Sequence, residues 1–219
     1  MIQQPDADRS HRMARLIRHE VGDLLQSVYS TVAVLLERLP AELTLERRLA
    51  SDLKSRAELC RSELDAVVDL ASPGEPAEER VDLPGVFAHV LTQVRKRHPA
   101  LHLTAQPPPP VAIRADGRAL SAAAFLLLAA TCQAARSQVR VGFSRGERHV
   151  DCSVERDGYP ANPEQFAWLE APFATTQHAA FGLGLALTRR AVAGGEVEAR
   201  NVPDGGVIVR IRLPVWSEG

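Results

Sequence analysis

The residues of this 219-residue chain best suited to chemistry lie near its start. His19 is followed directly by Glu20 and, one helical turn on, by Asp23. An imidazole flanked by carboxylates can act as a nucleophile. A carboxylate that accepts the hydrogen of one ring nitrogen fixes the tautomer and leaves the other nitrogen with its lone pair exposed. No second histidine stands four residues away, so the spacing does not read as a metal site. The competing reading is a solvated helix face with an incidental histidine.

A second candidate lies near the other end. Ala180-Phe-Gly-Leu-Gly-Leu-Ala-Leu-Thr-Arg-Arg190 puts Gly182 and Gly184 at the start of a predicted helix. Glycines there let backbone N–H groups approach a phosphate, and the helix dipole favours the anion. Close packing of two elements explains such a pair equally well. Arg189 and Arg190 suit either phosphate or a solvated face. Before them, Phe166 and Trp168 read as core aromatics and His178 as solvated.

These residues need elements to hold them. From Met13 to Leu39 apolar residues recur at three- and four-residue steps, the period of an amphipathic helix, and Pro40 ends it. On a wheel with Ile17 at zero, Val21, Leu24, Val28 and Leu35 fall within about 40°, whereas His19 lies near ~200° with Asp23, Gln26 and Ser30 beside it. His19 is therefore expected to be exposed, opposite the apolar seam. A second helix from about Thr44 carries the stripe Leu49, Leu53, Ala57, Cys60, Leu64, Val67 or Val68 and Ala71. Joined by a short loop, the two predict an antiparallel hairpin. A hairpin alone covers only part of so wide an apolar face, so a homodimeric four-helix bundle through residues 8–71 is expected.

The chain divides by pattern into a helical hairpin over 1–72, a Pro/Gly/Glu-rich linker over 73–80 and a mixed unit over 81–219. In the last, Leu83–Arg97 and the apolar Arg118–Ala135 predict helices, the latter buried because it is apolar nearly all round. Alternation predicts hairpins at 139–154 and 197–213, with short strands near Leu101–Thr104 and Val111–Arg114. The fold class is α+β: a helical hairpin followed by an α/β sandwich.

Composition narrows the rest. Apolar residues are 45% and charged residues 24%, a globular balance. A net charge of −1 argues against a general electrostatic grip on nucleic acid. The apolar run Leu120–Ala130 is short of the ~20 residues a membrane span needs, and MIQQPDADRSHR is no secretory signal. Cys60, Cys132 and Cys152 are odd in number and far apart, as in a reducing cytoplasm, and read as small buried hydrophobes.

In order, these segments resemble the two-component histidine kinases over nearly the whole chain. His19-Glu20-Val-Gly-Asp23-Leu24 looks like the phosphoacceptor box, Pro172-Phe173 with Thr175-Thr176 like the F box, and Gly182-Leu-Gly-Leu like the G2 box. The resemblance implies phosphoryl chemistry on His19 assisted by Glu20 and Asp23. It places Thr175, Thr176, Gly182 and Gly184 on any bound nucleotide. Two positions depart from the pattern. Ala130 stands where the family's magnesium-holding asparagine belongs, and a methyl offers a hard cation no oxygen. Arg156 stands where the adenine-accepting aspartate belongs, and arginine carries donors only.

Three functions follow as expectations. The first is a phosphorelay protein that exchanges a phosphoryl group between His19 and a response-regulator receiver aspartate, with ATP binding impaired and no cofactor or metal. It resembles histidine phosphotransferases whose ATP domains have decayed. The second is an active histidine kinase using ATP and Mg²⁺. The third is a non-catalytic dimeric scaffold for receivers. With no segment assigned to sensing, input is expected from another protein, an upstream kinase or sensor. The expected setting is cytoplasmic, with neither nucleic acid nor membrane insertion.

Overall fold

Two helices open the chain, α1 (Gln4–Arg38) and α2 (Thr44–Ala71). The computed structural model describes the backbone of residues 4–71, 77–169, 171, 179–192, 194–203 and 205–217, and their side chains except those of 4–15 and 179. It divides into two units, Met1–Pro73 and Gly74–Gly219.

In the first unit α1 and α2 pack as an antiparallel hairpin around the Pro40 turn. The last carbonyls of a helix lack intrahelical donors. Here a side chain of α2 supplies them: Arg47 Nη1 donates to the Leu36 and Leu39 carbonyls at 3.0 and 2.6 Å. Midway along, the Lys54 ammonium lies 4.7 Å from the centroid of the Tyr29 ring. The seam expected around Ile17 is divided. Val32 is buried and Val21 and Val28 are half-buried, but Leu24 is 64% exposed, and Leu16, Ile17 and Leu35 are exposed with it. On α2, Leu45, Leu49 and Leu53 are exposed as well. One partner helix covers one side of an apolar arc this wide and leaves the other bare.

The second unit begins with β1 (Glu79–Asp82) and α3 (Leu83–Arg97). Glu79 and Arg80, assigned to the linker from sequence, already belong to β1. The side chain of Asp82 caps α3 by accepting from Gly85 N at 2.9 Å, with Pro84 in the first turn and Arg95, Lys96 and Arg97 in the last. Then come β2 (His102–Ala105), β3 (Ala112–Ala115), α4 (Gly117–Ala134), β4 (Gln138–Arg145) and β5 (His149–Arg156). A short α5 (Pro163–Phe166) runs into a 3₁₀ turn (Ala167–Leu169), followed by α6 (Ala179–Ala191), β6 (Glu196–Asn201) and β7 (Val207–Pro214).

The main sheet has the order β2-β4-β5-β7-β6, with β2–β4 parallel and the other pairs antiparallel. Strands β1 and β3 form a separate antiparallel pair. Alternation sends Val150, Cys152 and Val154 of β5 and Val207, Val209, Ile211 and Leu213 of β7 into the core. Helix α4 lies in that core, with Leu120, Leu126, Leu127 and Leu128 almost fully buried. Among the described residues it is the one helix long and apolar enough to cross a membrane, and 67% of it is buried within the protein. That burial accounts for its composition. Burial also pushes the Cys132 and Cys152 thiols up to about 12, whereas Cys60, expected to be buried, is exposed.

Candidate functional site

His19 projects from α1 with its side chain 72% exposed, on the side the wheel assigns to it. Its Nδ1 faces both carboxylates: Asp23 Oδ2 at 3.4 Å and Glu20 Oε1 at 3.7 Å. The spacing i, i+4 brings Asp23 under the ring, because side chains four apart stack along a helix face. Carboxylates beside Nδ1 favour the tautomer that carries hydrogen there, which leaves the Nε2 lone pair available. The helix thus presents a nucleophilic nitrogen to solvent.

The ring lines a groove of about 560 Å³ between α1 and α2, with Arg18, Gly22, Asp23 and Gln26 from α1 and Arg61, Leu64 and Asp65 from α2. Arg61 Nη1 donates to Gln26 Oε1 at 2.7 Å, tying the helices together beside the imidazole. Arg61 and Asp65 were not singled out from sequence. They sit four apart on α2, but which turn of α2 meets His19 depends on hairpin register, which the chain pattern does not encode.

In the second unit the glycine segment lies at the start of a helix that begins three residues before Gly182. Gly182 and Gly184 lie within the first two turns of α6. Both mark close approaches. A Cβ on Gly182 would run into the indole of Trp168, and one on Gly184 would stand 2.7 Å from the Leu127 backbone nitrogen on α4. Trp168 is 2% exposed. The segment that carries it is held on α6 by an edge-to-face pair of Phe166 with Phe181 and by Arg189 donating to the Leu169 carbonyl. Pro172, Phe173, Thr175, Thr176 and His178 lie outside the described residues.

Ala130 is buried on α4. Arg156, at the end of β5, turns inward and is 7% exposed. Its Nη1 donates to the carbonyls of Ala134, Asp157 and Tyr159 at 3.3, 3.1 and 2.7 Å. Ala134 closes α4, whose C-terminal carbonyls attract a cation. Burial lowers the guanidinium's pKa, and the neighbouring Asp157 opposes that shift. Asp157 in turn accepts from the backbone N–H groups of Arg136, Ser137 and Gln138 and from the Ser137 hydroxyl. Burial works against its charge, but these bonds bring its pKa down to about 2. Arg156 and Asp157 thus knit the α4–β4 connection. Tested against a nucleotide with Mg²⁺, this residue set fits poorly. No side-chain oxygen stands at position 130, the guanidinium at 156 has donors and no acceptor for an adenine amine, and the Trp168 indole packs against Gly182. No group of three or more His, Cys, Asp or Glu side chains is placed to hold a metal among the described residues.

Comparison with known proteins places this geometry. Residues 115–217 match the family of histidine kinase-, DNA gyrase B- and HSP90-like ATPases. The sensor histidine kinase ZraS of Klebsiella oxytoca is 28% identical over 212 residues, covering 93% of this chain and 46% of its own length. The nitrogen regulation protein NtrY of Azorhizobium caulinodans is 22% identical over 217 residues, covering 92% of this chain and 28% of its own. Among solved structures, full-length ShkA in complex with AMPPNP superposes with a TM-score of 0.64 at 19% identity, over 96% of this chain and 47% of that one. A mycobacterial sensor histidine kinase, MprB, gives 0.54 at 18% identity over 65% of this chain and all of its own. These structural likenesses bear on the fold. The chain spans less than half the length of the curated relatives it matches. The chain is similar to sensor histidine kinases over more than nine tenths of its length, and residues 115–217 match the histidine kinase-type ATPase family.

Proposed function

We propose that the chain is a phosphorelay component that carries a phosphoryl group on His19 and exchanges it with the aspartate of a response-regulator receiver domain, without making phosphohistidine from ATP itself. The observation that carries this reading is the contrast between the two candidate sites. The His19 imidazole is exposed, and its Nδ1 faces Glu20 and Asp23. Of the four positions expected on a nucleotide, Gly182 and Gly184 make close packing contacts, and Arg156, at the position of the family's adenine acceptor, donates to three main-chain carbonyls. In the transfer, Nε2 attacks the receiver's aspartyl phosphate and the P–O bond to the carboxylate breaks. Nδ1 keeps its hydrogen, and the two carboxylates balance the charge that forms on the ring.

The reading includes a homodimer. The exposed leucines and isoleucine of α1 and α2 form an apolar side that a second hairpin would cover, completing a four-helix bundle. An active histidine kinase is the second reading, favoured by the ATPase-family match over residues 115–217. Titration with ATP and Mg²⁺ separates the two. A kinase that binds nucleotide at a hundredth of its working concentration gains about 2.7 kcal/mol of stability. The relay reading predicts no shift in melting temperature and no acid-labile label on the protein from labelled ATP.

A further inference from the structure

We propose that Arg61, held by Gln26 and assisted by Arg18, forms an anion cradle that receives the phosphoryl group as it bonds to His19. This rests on the phosphoacceptor reading above and assigns the residues that make it electrostatically workable.

A phosphoryl group adds about two negative charges at neutral pH. At His19 that charge arrives beside Glu20 and Asp23, which lie within 4 Å of the ring, and Asp65 lines the same groove. Carboxylates that orient the imidazole also repel the incoming group at close range. Some cation must offset them. The cationic side chains lining the groove are Arg18, next to His19 on α1, and Arg61, across it on α2.

Arg61 is the better prepared of the two. A guanidinium has donors only, so Gln26 must turn its amide oxygen toward it, and the 2.7 Å bond to Nη1 fixes the planar group at the groove. Five N–H donors in a fork leave capacity for phosphoryl oxygens after that bond is made. Gln26 is thus a positioning residue, seven positions after His19 and on the side of α1 that the wheel shares between them. A tether supplied by a neutral amide holds the arginine without neutralising it, as a carboxylate would.

The test uses the full chain and potassium phosphoramidate, an anionic donor that needs neither receiver nor nucleotide. The P–N bond of the donor breaks as Nε2–P forms, ammonia leaves with its hydrogens, and Nδ1 keeps its own. Phosphohistidine is followed by ³¹P NMR in wild type, Arg61→Gln, Arg61→Lys, Gln26→Ala and His19→Gln. The cradle predicts that Arg61→Gln slows formation about tenfold, and that Arg61→Lys, which keeps the charge, stays within about threefold of wild type. Raising KCl from about 50 to 500 mM should slow wild type several-fold and Arg61→Gln less than about twofold. Gln26→Ala should fall between the two arginine variants. A structural staple would lose rate in Arg61→Gln and Arg61→Lys alike, with unchanged salt dependence. Either that pattern or equal rates in wild type and Arg61→Gln overturns the cradle alone. Wild type that gains no more phosphohistidine than His19→Gln overturns the phosphoacceptor reading, and the cradle falls with it.

Discussion

A single side chain can carry charge for chemistry or for architecture, and Asp157 shows how to tell the two apart. Its carboxylate meets three backbone N–H groups and a hydroxyl, all from residues 136–138. These bonds hold its pKa near about 2, below the ordinary 3.8. A depressed pKa means that the unfolded chain binds the proton more tightly. The stabilisation is complete above about pH 4 and is lost as pH falls toward about 2. Asp157→Asn should therefore cost about 1–2 kcal/mol at pH 7, discounted for partial exposure, and almost nothing near pH 2. Urea unfolding of both proteins across that range checks it, and a constant difference would mean the carboxylate's charge is not what matters. Arg156 follows the same logic. Its donors close α4, so Arg156→Asp would leave three carbonyls without a donor and place a second negative group among them.

At the scale of elements, the glycines of α6 decide how closely two helices approach. Gly184 lets α6 rest on the backbone of α4 at Leu127, and Gly182 makes room for Trp168. Gly184→Ala should destabilise by about 1–3 kcal/mol through overpacking, despite the higher helix propensity of alanine. A mutant as stable as wild type in thermal unfolding would show that the approach is loose. The sequence made the helices legible because period and punctuation agree: α3 runs from Leu83 to Arg97 and α2 from Thr44 to Ala71, as the apolar steps and prolines indicate. His19 was legible for the same reason, since a wheel gives exposure. The wheel could not say which arc of α1 faces α2, so the seam centred on Ile17 was only partly covered. The start of β1 was hidden because Glu-Arg-Val-Asp has one apolar residue and is a strand only by pairing with β3. The inward turn of Arg156 was likewise invisible, since its partners are main-chain carbonyls that carry no sequence signal.

For the whole molecule, the apolar side left open on the hairpin has the largest consequence. Leu16, Ile17, Leu24 and Leu35 on α1 and Leu45, Leu49 and Leu53 on α2 remain exposed in a single chain. Burying a leucine or isoleucine side chain contributes roughly 1.5–3 kcal/mol, and the proposed bundle would bury these seven. Sedimentation at micromolar concentration should give a dimer, and Ile17→Glu with Leu24→Glu should give a monomer. Wild type sedimenting as a monomer would contradict the bundle. The proposed relay has His19 exchanging phosphoryl groups that the ATPase-like unit does not supply. Its most direct test mixes the chain with receiver domains labelled at their aspartyl phosphate, beside a reaction with labelled ATP and Mg²⁺. A relay on His19 gives acid-labile, alkali-stable label on wild type from a receiver, none on His19→Gln, and none from ATP. Label reaching His19 from ATP and Mg²⁺ alone, or reaching His19→Gln as readily as wild type, would contradict it.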